Sequence, residues 1–305
     1  MTYSFVIPVY NEAQNLPELQ KRLSNILSKL DGAWEVLFID DGSSDASSEI
    51  IIDMTKNEHR FKFIQLSRNF GHQIAITAGM DNASGDAIII MDADLQDPPH
   101  VILSMVQKWK EGYEVVYAVR KSRKGESLFK KLTAKIYYRI LKKLSEIDIP
   151  MDTGDFRLVD RKALNAFLQL RENHRFVRGM FTWVGFKQIG VEFERPERFA
   201  GDTHYTISRM LKLATDGILS FSYVPLRTVL TLGFWIAALS MLGAIYAVIG
   251  HLTGHTIEGW TSIFVLVAFL GGIQLMVLGI LGEYIGRIHE EVKRRPLYIV
   301  RNKIG

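Results

Sequence analysis

Cysteine is absent from the 305-residue chain, which excludes a disulfide framework, a thiolate zinc site and a cysteine nucleophile. The opening "MTYSFVIPVYNE" lacks a basic n-region and reads as a first strand. The N-terminus is therefore expected to stay in the cytoplasm. No internal repeat or low-complexity tract is visible. Net charge is small as well: +4, with a pI near 9.1. The position of the basic residues then matters more than their sum, and no nucleic-acid partner is expected. Apolar residues are abundant at 48%, and mean hydropathy is slightly positive. The length allows one or two domains with a proper core.

The apolar excess is concentrated near the C-terminal end. Thr228–Gly250 ("TVLTLGFWIAALSMLGAIYAVIG") and Thr261–Gly282 ("TSIFVLVAFLGGIQLMVLGILG") are uncharged, and each exceeds the roughly 20 residues that cross a bilayer as a helix. Two buried helices of a large soluble core are the alternative. Both runs are apolar on every face, which argues against it. Their link, "HLTGHTIEGW", has no Lys or Arg, whereas Arg227 precedes the first run and Arg287, Lys293, Arg294 and Arg295 follow the second. The positive-inside rule then predicts a hairpin with both ends cytoplasmic, a multi-pass anchor in the plasma (inner) membrane. Small residues in "GGIQLMVLG" permit close helix packing, so a homo-oligomer is expected.

Before the anchor, strands and helices alternate. Apolar runs at "YSFVIPVY", "WEVLFID", "FKFIQLS", "AIIIMDAD" and "EVVYAVR" are separated by helix-like stretches at 13–30, 46–57, 72–82 and 99–110. This β-α-β-α pattern predicts a mostly parallel sheet with helices on both faces. Ligands of such sheets bind beyond the carboxyl ends of the strands, where "VYNE", "DDGSSD", "SRN" and "DADLQD" all fall. From Lys121 to Leu144 the character changes: Leu128, Leu132, Ile136, Ile140 and Leu144 recur at helical spacing among Lys130, Lys131, Lys135, Arg139, Lys142 and Lys143. Such a basic amphipathic helix can lie in the headgroup layer; an ordinary solvated surface helix is the alternative. Ser208–Phe221 is similarly amphipathic.

The segment "IIIMDADLQDPP" runs from an apolar strand into three aspartates within six residues, Asp92, Asp94 and Asp97. Their mutual repulsion calls for a positive charge. An Asp-x-Asp at a strand end supplies hard oxygen ligands suited to Mg²⁺ or Mn²⁺ carrying a diphosphate, and Gln96 adds a neutral oxygen. Stabilising a leaving nucleoside diphosphate would be the main catalytic contribution.

Taken together, "VIPVYNE", "DDGSSD", "SRNFGHQ", "DADLQDPP" and "GDFRLVDR" resemble the family 2 glycosyltransferases, and more narrowly those acting on polyprenyl phosphates. The resemblance covers about Val6 to Tyr205, and the two-span tail is similar to the bacterial undecaprenyl-phosphate (bactoprenol) glucosyltransferases. It implies a Rossmann-like GT-A nucleotide-sugar-binding domain with amphipathic interface helices and a C-terminal two-helix transmembrane hairpin. The expected division is 1–120 for the nucleotide-sugar half, 121–225 for the acceptor half, 226–286 for the spans and 287–305 for a basic cytoplasmic tail. The implied reaction is inverting transfer of one sugar from a nucleotide sugar to a polyprenyl phosphate. UDP-glucose and undecaprenyl phosphate are the expected pair; mannosyl and N-acetylhexosaminyl transfer are the alternatives. A lipid-sugar flippase is admitted as a further partner.

The same resemblance implies roles for single residues. Pro8, Tyr10 and Glu12 would surround the base and ribose. Asp41 would hold the base, with Ile39 and Asp40 beside it. Asp92, Ala93 and Asp94 would flank the metal-diphosphate, and Asp94 and Gln96 would be its direct ligands. Arg120 and Arg198 would meet phosphate. Lys135 and Arg139 of the basic stretch would gather the acceptor. In the family, the segment starting at Arg198 reads Arg-x-x-Gly-x-Ser-Lys; Thr203 and His204 stand here in the last two places, and a histidine is only partly charged near neutral pH.

A lipid monophosphate has a second pKa near 6 and is already largely a nucleophilic anion at pH 7, so a strong base is less necessary than for a sugar hydroxyl. Asp155 is then a candidate for orienting acceptor or sugar, with base catalysis secondary; an aspartate paired with Arg157 or Arg161 in a turn is the alternative. Asp152 is a weaker candidate, and His72 and His174 read as capping or packing groups. A processive polysaccharide synthase would carry Gln-x-x-Arg-Trp and more spans, and neither is present. A non-catalytic nucleotide-sugar-binding membrane scaffold would leave the Asp-x-Asp and Asp155 unexplained.

Overall fold

A computed structural model describes residues 1–121, 150, 153–194, 224–253 and 259–305. The basic stretch with Lys135 and Arg139, the segment with Arg198 and His204, and Asp152 lie outside the described residues. The chain divides into two compact units, Met1–Gly217 with Arg295–Gly305, and Ile218–Arg294.

The first unit is built on one sheet. In chain order it runs β1 (Thr2–Val9), α1 (Leu16–Leu27), β2 (Ala33–Asp40), α2 (Ser47–Asn57), β3 (Phe61–Leu66), α3 (His72–Asn82), β4 (Ala87–Ile90), α4 (Val101–Lys110) and β5 (Val115–Arg120). It continues with β6 (Thr153–Asp160), α5 (Arg161–Phe167), α6 (Val177–Trp183), β7 (Gln188–Phe193) and, after the second unit, β8 (Val300–Ile304). The strand order is β7-β5-β6-β4-β1-β2-β3-β8. Strands β1, β2, β3 and β4 are mutually parallel, as are β5 and β7. Strands β6 and β8 are antiparallel to their neighbours, which makes the sheet mixed.

Side chains alternate across the strands. Tyr3, Phe5, Ile7 and Val9 of β1 join Leu19 and Leu23 of α1, Ile51 of α2 and Met105 of α4 in one buried core. On the opposite face, α3 lies close against β1: a Cβ at Gly79 would come within 2.2 Å of Val6 Cγ1. Only glycine permits that approach. It brings the start of α3 to the sheet's carboxyl edge.

Strand direction settles the functional geometry. The chain runs from β1 to β2 and β3 on one side and crosses back to β4 on the other side of β1, so the loops after β1 and β4 open a crevice at the topological switch point. Because β6 runs against β4, with Ile90 opposite Arg157, the start of β6 lies at the same edge as the end of β4. Asp155 thereby reaches the acidic loop.

The sequence places a basic tail from 287 onward. Instead, the helix Trp260–Val292 continues past 287 and residues Val300–Ile304 pair with β3 as an edge strand. Leu297 is buried, and Tyr298 Oη donates to Asp81 Oδ2 at 3.0 Å. Backbone pairing of a free sheet edge outweighs solvation of Arg301 and Lys303, whose charges suit an edge position.

Near the amino end of β2, away from the crevice, Glu35 is a buried carboxylate (6% exposed). It accepts from Ser4 Oγ, from Ser84 N and Oγ at 2.7 Å each, and pairs with Lys62 Nζ at 2.8 Å. Burial alone would raise its pKa; Lys62 and the serine donors outweigh that and pull it from 4.5 to about 2. A depressed carboxylate pKa contributes stability that is present above the unfolded value and lost as pH falls from about 4.5 towards about 2. Glu35→Gln should cost about 1.5–3 kcal/mol at pH 7, read from urea unfolding of the detergent-solubilised chain. The deficit should shrink below pH 4; a deficit that is constant with pH would contradict the pairing.

The second unit comprises α7 (Val224–Leu252) and α8 (Trp260–Val292). Large apolar side chains point outward from both, including Phe234, Trp235 and Leu239 on α7 and Phe269, Leu275 and Met276 on α8. Among the described residues, Phe269–Val292 is a helical stretch long and apolar enough to cross a membrane.

Candidate active site

The loop after β4 folds back on itself. Asp92 N donates to Asp97 Oδ2 at 3.0 Å and Gln96 N to Asp94 Oδ1 at 3.0 Å. Between them Leu95 is buried in the left-handed region, φ 62°, an uncommon conformation for a branched side chain. Its burial holds the turn that brings the three carboxylates together. Asp94 and Asp97 are almost fully buried. Burial, and then the neighbouring Asp92 charge, push the Asp97 carboxyl up to about 8. Burial raises Asp92 as well, His72 opposing it.

Among the described residues Asp92 Oδ1 is buried with no hydrogen-bond partner, and His72 Nε2 stands 3.5 Å from it. Arg120, at the end of β5, has a buried Nε without a partner among the described residues. Its guanidinium lies against Gly154, where a Cβ would come within 2.7 Å of Nη2, so glycine leaves room for it beside Asp155. Among the described residues no three acidic or imidazole groups form a metal-binding cluster. The donor set fits a cation that completes its shell with substrate oxygens, as Mg²⁺ and Mn²⁺ do.

Asp155 is held by three side chains. Arg178 of α6 donates Nε to Oδ1 at 3.0 Å and Nη2 to Oδ2 at 3.2 Å. Gln73 Nε2 donates to Oδ2 at 3.0 Å, and His72 Nε2 lies 3.3 Å from the same oxygen. Burial would raise this carboxyl, but Arg178 and His72 together hold it well below the usual carboxylate range. Burial lowers the His72 pKa, yet the Asp92 and Asp155 charges outweigh that and bring it to about 9. With its oxygens occupied and its proton affinity suppressed, Asp155 is suited to fixing charge in place and poorly suited to accepting a proton.

The pairing alternatives read from sequence fail for a local reason. Arg157 turns to the backbone, donating Nη2 to Gly154 O at 3.1 Å and Nε to Asp155 O at 3.3 Å, with its guanidinium over the Phe181 ring. Arg161 caps the carbonyls of Ala83 and Gly85. The partner is Arg178, which carried no signal in sequence. His72, read as a capping or packing group, stands between two carboxylates. It and Gln73 were within reach, since "SRNFGHQ" sits directly beyond a strand end.

The loops after β1 and β2 are tied to each other. Asn11 N donates to Ser43 Oγ, Ser44 N to Asn11 Oδ1 and Glu12 N to Ser47 Oγ, all between 2.8 and 3.0 Å. Tyr10 and Glu12 therefore occupy the crevice rim beside Pro8 and Ile39. Asp40 is fully buried and accepts from Ser43 N and Ser48 Oγ. Asp41 accepts the amides of Phe70 (2.7 Å) and Gly71 (2.9 Å), and burial raises its pKa. Those bonds fix the entry to α3; only second lone pairs of Asp41 remain for a ligand.

This mixed sheet with its acidic switch-point loop is a GT-A-like glycosyltransferase fold. The structure is similar to glucosyl-3-phosphoglycerate synthase from Mycobacterium tuberculosis, solved with Mn²⁺, UDP-glucose and phosphoglyceric acid, with a TM-score of 0.50 at 16% identity over 72% of this chain and 79% of that one. Residues 4–168 match the model of glycosyl transferase family 2, and the chain belongs to that family. It is 51% identical to an uncharacterised glycosyltransferase, YkcC, of Bacillus subtilis (strain 168), over 99% of this chain and 94% of that one. It is 38% identical to the bactoprenol glucosyl transferase of Shigella phage SfV over 99% of both chains. The protein is a glycosyltransferase.

Proposed function

We propose that the chain transfers one glucosyl group, with inversion, from UDP-glucose to a polyprenyl phosphate at the cytoplasmic face of the plasma membrane. The observation that carries the donor side is the loop carrying Asp92, Asp94 and Asp97 beside Arg120, with Asp92 Oδ1 buried and without a hydrogen-bond partner among the described residues. The acceptor is supported by the full-length likeness to a bactoprenol glucosyl transferase, which extends through both apolar helices.

In this reading Asp92, Asp94 and Gln96 would hold Mg²⁺ or Mn²⁺, which when bound neutralises the departing diphosphate. Arg120 supplies a second positive charge on the same group. Pro8, Tyr10, Glu12, Ile39 and Asp41 line the base and ribose side. Asp155 orients the reacting sugar or phosphate, and the acceptor's own ionised phosphate makes a general base unnecessary. Radiolabelled UDP-glucose, GDP-mannose and UDP-N-acetylglucosamine, each offered with undecaprenyl phosphate and Mn²⁺, test the proposal through the extracted lipid. Label from UDP-glucose is expected. Label from another donor would replace the donor assignment, and an unlabelled lipid throughout would favour the non-catalytic scaffold.

The anchor is proposed as a two-helix hairpin formed by α7 and α8, with both ends cytoplasmic. The Lys/Arg-free link 251–260 and the basic residues flanking the helices support it. Because the chain has no cysteine, a single Thr256→Cys variant reports orientation. It should react with a membrane-impermeant thiol reagent applied outside intact cells. Labelling only after lysis would reverse the topology.

A further inference from the structure

The contacts around Asp155 join three elements distant in sequence. Gln73 lies in the first turn of α3. Its side-chain amide donates to Asp155 Oδ2 at 3.0 Å and accepts from Val177 N, the first residue of α6, at 3.0 Å. Arg178, the next residue of α6, grips both Asp155 oxygens. Arg157 fixes the backbone of the same residue through the carbonyls of Gly154 and Asp155, and its guanidinium sits 4.9 Å from the centre of Phe181, also of α6. Phe181 in turn stacks on Phe167 of α5 at 4.2 Å and 13°. One glutamine amide thus satisfies a helix-terminal N–H and a carboxylate at once. Rotation of either group breaks a bond to the other.

Asp155 stands beside Gly154 and the Arg120 guanidinium, and His72 links it to Asp92. Its direction therefore determines where negative charge lies relative to the acidic loop. A bidentate guanidinium fixes a carboxylate plane in a way that a point charge cannot.

We propose that Gln73 and Arg178 are positioning residues of the transfer reaction, locking the Asp155 carboxylate in one orientation across the starts of α3, β6 and α6. The proposal rests on the reading of Asp155 as an orienting group in sugar transfer. It adds two residues outside the acidic loop whose loss acts through Asp155.

The test uses the full-length protein in detergent with undecaprenyl phosphate, Mn²⁺ and the nucleotide sugar that labels lipid in the donor screen. Gln73→Leu and Arg178→Gln should each lower kcat by about 10- to 100-fold, the scale of an ångström-level misplacement. KM for the nucleotide sugar should stay within about twofold, since uniform binding is untouched. Arg178→Lys keeps the charge, loses the fork and should fall between wild type and Arg178→Gln. The decisive variant is Asp155→Asn with Arg178→Gln, which should be no more than about threefold worse than Asp155→Asn alone, because residues acting as one unit are not additive. Full multiplication of the two losses would overturn the lock, as would a raised donor KM with unchanged kcat. Equal loss in Arg178→Lys and Arg178→Gln, matched by equal loss of melting temperature, would reduce Arg178 to a structural pair. If UDP-glucose fails but another donor labels the lipid, only the donor assignment falls and the variants are measured with that donor. A wild type inert with every donor removes both proposals.

Discussion

Asp94→Ala is expected to abolish sugar transfer while leaving the fold intact. Asp94 is 7% exposed in a loop that places three carboxylates within six residues, and its Oδ1 accepts the Gln96 amide. Removing it deletes a proposed metal ligand and the bond that closes the turn. Loss of one preorganised charge-stabilising group typically costs roughly 10²- to 10³-fold in kcat, and loss of a cation ligand should lie at or beyond the upper end. Stability should move little, because the lost hydrogen bond, about 1 kcal/mol, is offset by relief of repulsion with Asp92. Asp94→Asn keeps an acceptor for the Gln96 amide and removes only the charge. It separates the shape of the loop from its electrostatics. Both variants should show less than about 1% of wild-type transfer at saturating Mn²⁺, with unchanged far-UV circular dichroism. Substantial turnover by Asp94→Ala in the presence of EDTA would sink the assignment.

The alternating part of the fold was legible because apolar periodicity and turn residues agree there. The α3 range read from sequence, 72–82, coincides with the helix, whereas α1 begins at Leu16 rather than at 13. Its expected first turn is used instead to tie Ala13 to Asp45 in the loop after β2 and Asn15 back to Glu12. Strand β6 was invisible for a different reason. "TGDFRLVD" is buried along nearly its whole length yet carries Asp155 and Arg157, so neither alternation nor an apolar run marks it as a strand. Strand β8, "VRNKI", is a charged edge strand, and its pattern is that of a solvated tail. The acidic loop, Arg120 and Asp155 could be named from motifs. Their grouping could not, because it depends on β6 running against β4 and on Arg178 arriving from a helix with no recognisable signature.

Asp155→Ala should cost stability as well as activity, which sets it apart from Asp94→Ala. Asp155 is 4% exposed and is the counter-charge of Arg178, whose side chain is 19% exposed. Truncation removes the carboxylate that receives both arms of the Arg178 guanidinium, and leaves Gln73 without its Asp155 acceptor. Breaking a buried pair from one side typically costs 3–5 kcal/mol. Partial solvent access at Arg178, and the second carboxylate that His72 keeps at Asp92, place the expected loss near the lower end, about 3 kcal/mol. Asp155→Asn retains one acceptor for Arg178 or Gln73 and should lose about half as much. Unfolding of the detergent-solubilised chain in urea, followed by tryptophan fluorescence, measures both. A buried pair is weakly screened, so the deficit of Asp155→Ala should be nearly the same in about 0.1 M and about 1 M salt, where the Debye length falls from about 10 to about 3 Å. A loss below about 1 kcal/mol, or one that high salt removes, is the behaviour of a surface ion pair and would mean that Arg178 does not depend on Asp155 for its charge balance.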